Sequence, residues 1–169
     1  MDKFKNYINH LNEYIDKNLS FDDPNNLYDP VKYILQNGGK RVRPVFTLFI
    51  SELFSGKIDK ALPAAASIEI FHNFTLVHDD IMDNDEMRHG VPTVHKKYGM
   101  PIAILAGDVL FSKAFQIISD SKLSPNATLQ LVSRLAKACV DICEGQLLDV
   151  KMAEERRIPT QLDYITMIG

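Results

Sequence analysis

Three aspartates close a long, mostly apolar run in the segment Glu69-Ile70-Phe71-His72-Asn73-Phe74-Thr75-Leu76-Val77-His78-Asp79-Asp80-Ile81-Met82-Asp83. At 100° per residue, a helix brings Asp79 and Asp83 to one side, a turn apart, with Asp80 beside them. Carboxylates packed this way repel one another. A hard divalent cation with oxygen ligands relieves that repulsion, and magnesium in particular is held by one or two carboxylates plus substrate phosphate oxygens. His72, seven residues before Asp79, shares the face about two turns away. The competing reading is a solvated acidic helix end. Acids of that kind belong at a helix N-terminus, where the dipole favours negative charge, whereas these sit at the opposite end. Their position favours a metal site.

A cationic cluster lies upstream in Gly38-Gly39-Lys40-Arg41-Val42-Arg43-Pro44. Paired glycines let a backbone approach a ligand closely, and the cations open a helix whose free N–H groups also favour anions. Lys40 and Arg43, three apart, point the same way, while Arg41 diverges. A glycine stop followed by a solvated basic turn would give the same residues, and spacing alone leaves both readings open. A second cationic group, Arg88-His89-Gly90-Val91-Pro92-Thr93-Val94-His95-Lys96-Lys97, follows the acids.

The elements that must carry these residues read as helices almost throughout. Phe4, Ile8, Leu11, Tyr14 and Ile15 form a three-and-four-spaced stripe over residues 2–19. Residues 21–30 read as a turn-rich connection, and a short helix follows near Val31–Gln36, stopping at Gly38-Gly39. Pro44 suits the first turn of a helix running to about Phe54, and Gly56 breaks it. The next helix starts near Pro63 and runs to about Asp83. Residues 84–99 read as charged and irregular, with Gly90-Val91-Pro92 as a turn signal. Helices are expected near 101–119 and 126–153, with Pro159 ending that region and a last helix opening near Gln161. Seven or so helices, with no useful alternating stretch, predict an all-α antiparallel bundle in one domain spanning 1–169.

Composition narrows the function. The 169 residues are 46% hydrophobic and 24% charged, with a net charge of −3. That balance excludes a general nucleic-acid binder, which needs cations to neutralise a run of phosphates. It leaves room for small phosphate esters, which need only a few well-placed cations. No run of about 18 apolar residues predicts a membrane span, and the first residues lack the apolar core of a signal peptide. Cys139 and Cys143 have too few companions for a disulfide framework or a zinc site. The expected location is the cytoplasm.

Together the motifs resemble the trans-isoprenyl diphosphate synthases, the family of farnesyl and geranylgeranyl diphosphate synthases. The match takes in the Gly38–Pro44 run, His72, and Leu76-Val77-His78-Asp79-Asp80-Ile81-Met82-Asp83. It continues through Arg88, Gly90, Pro92, Thr93, His95 and Gly107-Asp108 to Glu144-Gly145-Gln146-Leu147-Leu148-Asp149. The resemblance implies the N-terminal portion of the isoprenoid synthase fold and a magnesium-dependent prenyl transfer. In that transfer isopentenyl diphosphate condenses head-to-tail with dimethylallyl, geranyl or farnesyl diphosphate. Asp79, Asp80 and Asp83 become the catalytic acids, with Asp79 and Asp83 holding Mg2+ against the allylic diphosphate. Arg88 assists from the same side. Lys40, Arg43 and His72 bind isopentenyl diphosphate. Phe74, five before Asp79, resembles the pattern of synthases that stop at about C20, and the product expected overall is about C15 to C20. Gln146 and Asp149 stay open between lining the cavity and packing. One departure is visible: the family has two arginines where this chain has Arg88-His89, and histidine lacks the guanidinium fork.

The resemblance also implies a second aspartate-rich motif in a C-terminal half. Glu154-Glu155 and Asp163 do not form it. The expectation is therefore a homo-oligomer or a complementary C-terminal half or subunit. A non-catalytic or regulatory subunit, or an inactive fragment, is the alternative. A helical metal phosphohydrolase using His72, His78 and Asp79 would need a further upstream histidine. Only His10 is available, on an amphipathic surface helix, and the Gly-Gly-Lys-Arg run would go unexplained.

Overall fold

The structure, a computed structural model, describes residues 2–19, 24–37, 39–155, 158 and 160–168. Gly38 and Pro159, expected to punctuate helices, lie outside the described residues. The chain divides into two compact units, Met1–Leu123 and Ser124–Gly169. Among the described residues the secondary structure is all-helical apart from one small ribbon.

In the first unit, α1 spans Asp2–Asn18, α2 Asn25–Gln36, α3 Val42–Ser55 and α4 Leu62–Met82. Strands β1 (Met87–Arg88) and β2 (Val91–Pro92) then pair antiparallel, and α5 (Val94–Tyr98) and α6 (Met100–Ser119) follow. Helix α4 is the centre. Pro63 fits its first turn, where a missing N–H costs nothing. Its small residues Ala65, Ala66 and Ser67 are all buried. Short side chains let α6 approach closely with its own Ala103, Ala106, Gly107 and Ala114. The Ser67 hydroxyl donates to the Ala114 carbonyl at 2.8 Å, and His78 meets Gly107 further along, so the two helices run antiparallel. Leu11, Leu48, Ile70 and Leu110, from α1, α3, α4 and α6, are fully buried. Each such side chain contributes about 1.5–3 kcal/mol of burial free energy.

Several boundaries differ from expectation. Helix α2 begins at Asn25 and carries Pro30 inside it. Proline there removes one helical hydrogen bond, but Pro30 is fully buried, and its packing offsets the loss. On α1 the buried stripe is Tyr7, Leu11, Ile15 and, just past the helix, Leu19, with Phe4 left 46% exposed. Tyr7 reads as polar in sequence. It buries its ring because its hydroxyl reaches the Glu52 carboxylate. The stretch 84–99, expected to be irregular, contains the ribbon and α5. The two residues that turn the ribbon, His89 and Gly90, both have positive φ, 52° and 82°. That pair of left-handed residues makes the tight hairpin turn that matches strand twist.

Helix α6 also bears on the expectation of no membrane span. Its best window has a mean hydropathy of 1.5, enough by length and composition for a crossing. Seven of its residues are buried, four of them the small Ala103, Ala106, Gly107 and Ala114, and well under half of that window is buried.

The second unit holds α7 (Pro125–Glu155) and α8 (Gln161–Ile168). Thr160 and Asp163 cap α8 reciprocally: the Asp163 N–H donates to the Thr160 hydroxyl at 3.2 Å, and the Thr160 N–H donates to the Asp163 carboxylate at 2.8 Å. The described residues thus contain eight helices.

Candidate functional site

The last turn of α4 does not treat its three aspartates alike. Asp79 is partly exposed and Asp83 is exposed, one turn on. Burial pushes the Asp79 carboxyl above the usual range, and the charge of Asp83 adds to the rise while Arg88 opposes it. The two carboxylates therefore repel across a shared face. Asp80 turns inward, with its side chain 1% exposed, and takes the Nε–H of Arg88. The same guanidinium reaches Asp79 at 3.5 Å and Asp85 at 3.4 Å through Nη2. Asp80 is thus the mount for Arg88, and Arg88 also reaches Asp79 of the acid pair. The other Asp80 oxygen, Oδ2, is buried with no partner, and so is Nε2 of His95. Thr93 passes a hydrogen bond to the Asp85 carbonyl at 2.8 Å and meets Nδ1 of His95 at 3.3 Å.

Whether these residues suit magnesium is a question of donors. Among the described residues no group of three or more His, Cys, Asp or Glu converges as a ready-made metal cage. Magnesium does not require one. It takes one or two carboxylates and completes its shell with water and phosphate oxygens. Asp79 and Asp83 are such a pair, and their mutual repulsion is what a divalent cation would relieve.

Two turns up α4, about 10 Å along the axis, stands the basic group. His72 faces Arg43, with Nη1 of the guanidinium 3.3 Å from Nε2 of the imidazole. A guanidinium can only donate, so Nε2 accepts and the proton of the neutral ring sits on Nδ1. Burial lowers the His72 pKa, and the Arg43 charge lowers it further. Arg88 acts in the same direction, so its field reaches both ends of the site. Lys40 is exposed in the loop before α3. Arg41 turns into the protein.

His89 reaches that same loop. A Cβ on Gly39 would lie 3.1 Å from Nε2 of His89, so the glycine admits the imidazole. The ribbon carrying Arg88 and His89 is tied to α2 by the Tyr33 hydroxyl, which donates to the Pro92 carbonyl at 2.7 Å. The ammonium of Lys97 caps the Tyr33 ring at 3.7 Å.

Phe74 lies one turn above His78 in an aromatic file. Its ring centroid is 4.8 Å from His78, 5.3 Å from Phe71 and 5.3 Å from Phe111, and Phe111 continues to Phe115 at 5.1 Å. Gln146 and Asp149 belong to the second unit, where they border a cleft with Gly145 and Met167. Two partnerships escape sequence reasoning, those of Arg41 with Glu69 and of His78 with Gly107. Both join residues 28 or more apart, and neither has a local signature.

Comparison with known proteins agrees with this architecture. The polyprenyl synthetase family pattern matches residues 24–169. A geranylgeranyl pyrophosphate synthase of Geoglobus acetivorans is 49% identical over 158 residues, covering 94% of this chain and 49% of the relative. A geranylgeranyl diphosphate synthase of Methanosarcina mazei is 43% identical, covering 99% of this chain and 52% of the relative. The solved structure of geranylgeranyl pyrophosphate synthetase from Pyrococcus horikoshii matches with a TM-score of 0.93 at 39% identity, over 99% of this chain and 51% of that one. The chain spans about half the length of the relatives it matches. By sequence pattern, by identity and by fold, it belongs to the polyprenyl synthetase family.

Proposed function

We propose that this chain is a partial isoprenoid-synthase domain that supplies the diphosphate-binding wall of a trans-prenyltransferase. The reaction is the head-to-tail condensation of isopentenyl diphosphate with an allylic diphosphate, giving a product of about C15 to C20. The observation that carries the reading is the layout of α4: a repelling carboxylate pair at its end, an Arg43–His72 pair two turns away, and Arg88 felt at both.

Asp79 and Asp83 would hold magnesium. Bound there, it would neutralise the charge that builds on the departing diphosphate. Arg88, held by Asp80, offers N–H donors to the same diphosphate. Lys40, Arg43 and the Nδ1–H of His72 bind the diphosphate of isopentenyl diphosphate and so orient its double bond. The allylic C–O bond breaks, the double bond of isopentenyl diphosphate forms the new C–C bond, and loss of a proton restores an alkene. Orientation lowers the barrier because both reactants are already fixed by their charged ends. Phe74 bounds the space into which the growing chain extends. The enzyme would act in the cytoplasm, and the catalytic cavity would be completed by a second copy or by a complementary C-terminal half.

The test is direct. The purified chain is incubated with magnesium, isopentenyl diphosphate and allylic diphosphates, with and without a complementary half, and the prenyl diphosphates are separated by length. Turnover only with the added half supports a divided enzyme, and turnover of the chain alone supports self-association. No product in either case overturns the proposal in favour of a non-catalytic subunit.

A further inference from the structure

Arg41 is the one cation of the upstream cluster that the reading above leaves without a task, yet it has the most constrained surroundings. It starts α3 in the left-handed region, with φ 54° and ψ 29°, a conformation that side chains with a Cβ adopt rarely. Its side chain is 10% exposed and the Glu69 carboxylate it meets is 3% exposed. Nη1 donates to Oε1 of Glu69 and Nη2 donates to the carbonyl of Leu35, in the last turn of α2. That carbonyl is among those a helix end leaves without an internal partner. Asn73 donates to the same Glu69 oxygen at 3.0 Å and to the Glu69 carbonyl at 2.8 Å, locking the acid on α4.

We propose that the Arg41–Glu69 pair is a positioning device that sets the register of the Lys40–Arg43 segment, where the loop enters α3, against α4. The loop and the helix make two rungs. Arg41 meets Glu69, and two residues on, Arg43 meets His72, which lies three residues on in α4. The planar fork of Arg41 fixes its own loop against two helices at once, which a point-charge ammonium cannot do. A buried ion pair is weak evidence of net stability, and its best-attested use is to fix one arrangement against its alternatives. On the same loop the imidazole of His89 packs against Gly39, 3.1 Å from where a Cβ would stand. Arg41 therefore acts through Lys40 and Arg43 and does not itself touch the diphosphate.

This inference rests on the reading of Lys40, Arg43 and His72 as a diphosphate site, but its test does not. His72 reports the position of Arg43, because its pKa is held down by burial and then by the Arg43 charge. The groups facing His72 are Arg43 and Arg41 from the loop and α3, Glu69 on α4, and Arg88 on the ribbon. Arg41→Lys keeps the charge and removes the fork. Its His72 titration, followed by NMR, is expected to rise toward the value in Arg43→Gln, and affinity for isopentenyl diphosphate by calorimetry is expected to fall at least about tenfold. Helical circular dichroism is expected to stay as in the unmodified chain. Glu69→Gln is the milder lesion should Arg41→Lys not fold. Removing a nearby negative charge by itself lowers the His72 pKa, so a rise in Glu69→Gln reports displacement of Arg43. An unchanged His72 titration in Arg41→Lys, or a fall in Glu69→Gln, overturns the inference. Failure of the unmodified chain to bind isopentenyl diphosphate would sink the diphosphate reading, and the titration would still decide the role of Arg41.

Discussion

The imidazole of His78 occupies the space that a side chain on Gly107 would need: a Cβ placed there would lie 2.3 Å from Nε2. His78 is the residue before Asp79, so the closeness of α4 and α6 at this point governs where the carboxylate pair stands. Nε2 of His78 is buried without a hydrogen bond, and the Asp108 carboxylate is 4.0 Å away. Gly107→Ala is expected to destabilise the chain by about 1–3 kcal/mol, the usual cost of overpacking a close contact. Urea unfolding measures it. Adding His78→Ala should recover most of the loss, since the clash needs both side chains. Additive effects in the double variant would show that the two residues are not in contact.

The carboxylate pair predicts a conflict between stability and function. Asp79 carries a raised pKa, mainly from burial and then from Asp83, so its charged form is disfavoured in the folded chain. Asp79→Asn should therefore raise the thermal midpoint at neutral pH while abolishing magnesium-dependent turnover. Asp83→Asn should act in the same directions. Asp80→Asn is different in kind: burial raises the Asp80 carboxyl as well, but the hydrogen bond and charge of Arg88 oppose that rise, and the substitution loosens the grip on the partly exposed guanidinium. It should lower the midpoint as well as the activity. Differential scanning calorimetry beside product analysis separates the three. Equal midpoint shifts in all of them would remove the distinction between the outward pair and the inward mount.

How far the sequence foretold this follows from which forces are local. The one-turn spacing of Asp79 and Asp83 follows from helical geometry and is present in the structure, whereas Arg41 turns inward from a left-handed position ahead of α3, where helical spacing does not apply. The inward turn of Asp80 does not follow. Helix α4 is apolar on most of its circumference, so periodicity cannot say which flank of the acid pair faces the core. Tyr7 and Pro30 were hidden for a related reason. A polar or helix-breaking residue becomes a core residue only when another element supplies a partner or a pocket, here Glu52 for Tyr7. The left-handed His89 and its approach to Gly39 likewise depend on a ribbon two residues wide, too short for alternation to register.

The aromatic file predicts product length. Phe74 stands between His78 and the rings of Phe71 and Phe111, one turn above the carboxylate end. Phe74→Ala should open room along α4 and shift the products toward longer prenyl chains, in whichever assembly is active. Chromatography of the dephosphorylated alcohols reads the distribution. Truncating a large packed aromatic costs about 3–5 kcal/mol when it is fully buried. Phe74 is only half-buried, so the loss should be smaller and the variant should fold. A product distribution identical to that of the unmodified chain would reduce Phe74 to packing.

His72 gives the chain a pH dependence whose sign can be worked out. Its ordinary pKa is 6.5, and burial followed by the charge of Arg43 lowers the folded value. Between the two values the unfolded chain binds more protons at this site than the folded chain does. Stability then rises with pH through that window, and as pH falls the loss begins near the unfolded value and is complete below the folded one. Urea titrations from about pH 7.5 down to about pH 5.5, a range that brackets the ordinary histidine pKa, should show this slope. His72→Gln should remove that residue's share, and Arg43→Gln should reduce it by letting the folded pKa rise. Diphosphate binding should act in the opposite direction, drawing a proton onto His72, because an anion held at the Nδ1–H of the ring favours the imidazolium. Calorimetry in two buffers of different ionisation enthalpy would count that proton. Zero uptake near the ordinary histidine pKa would mean that the bound anion leaves the titration of the ring unchanged.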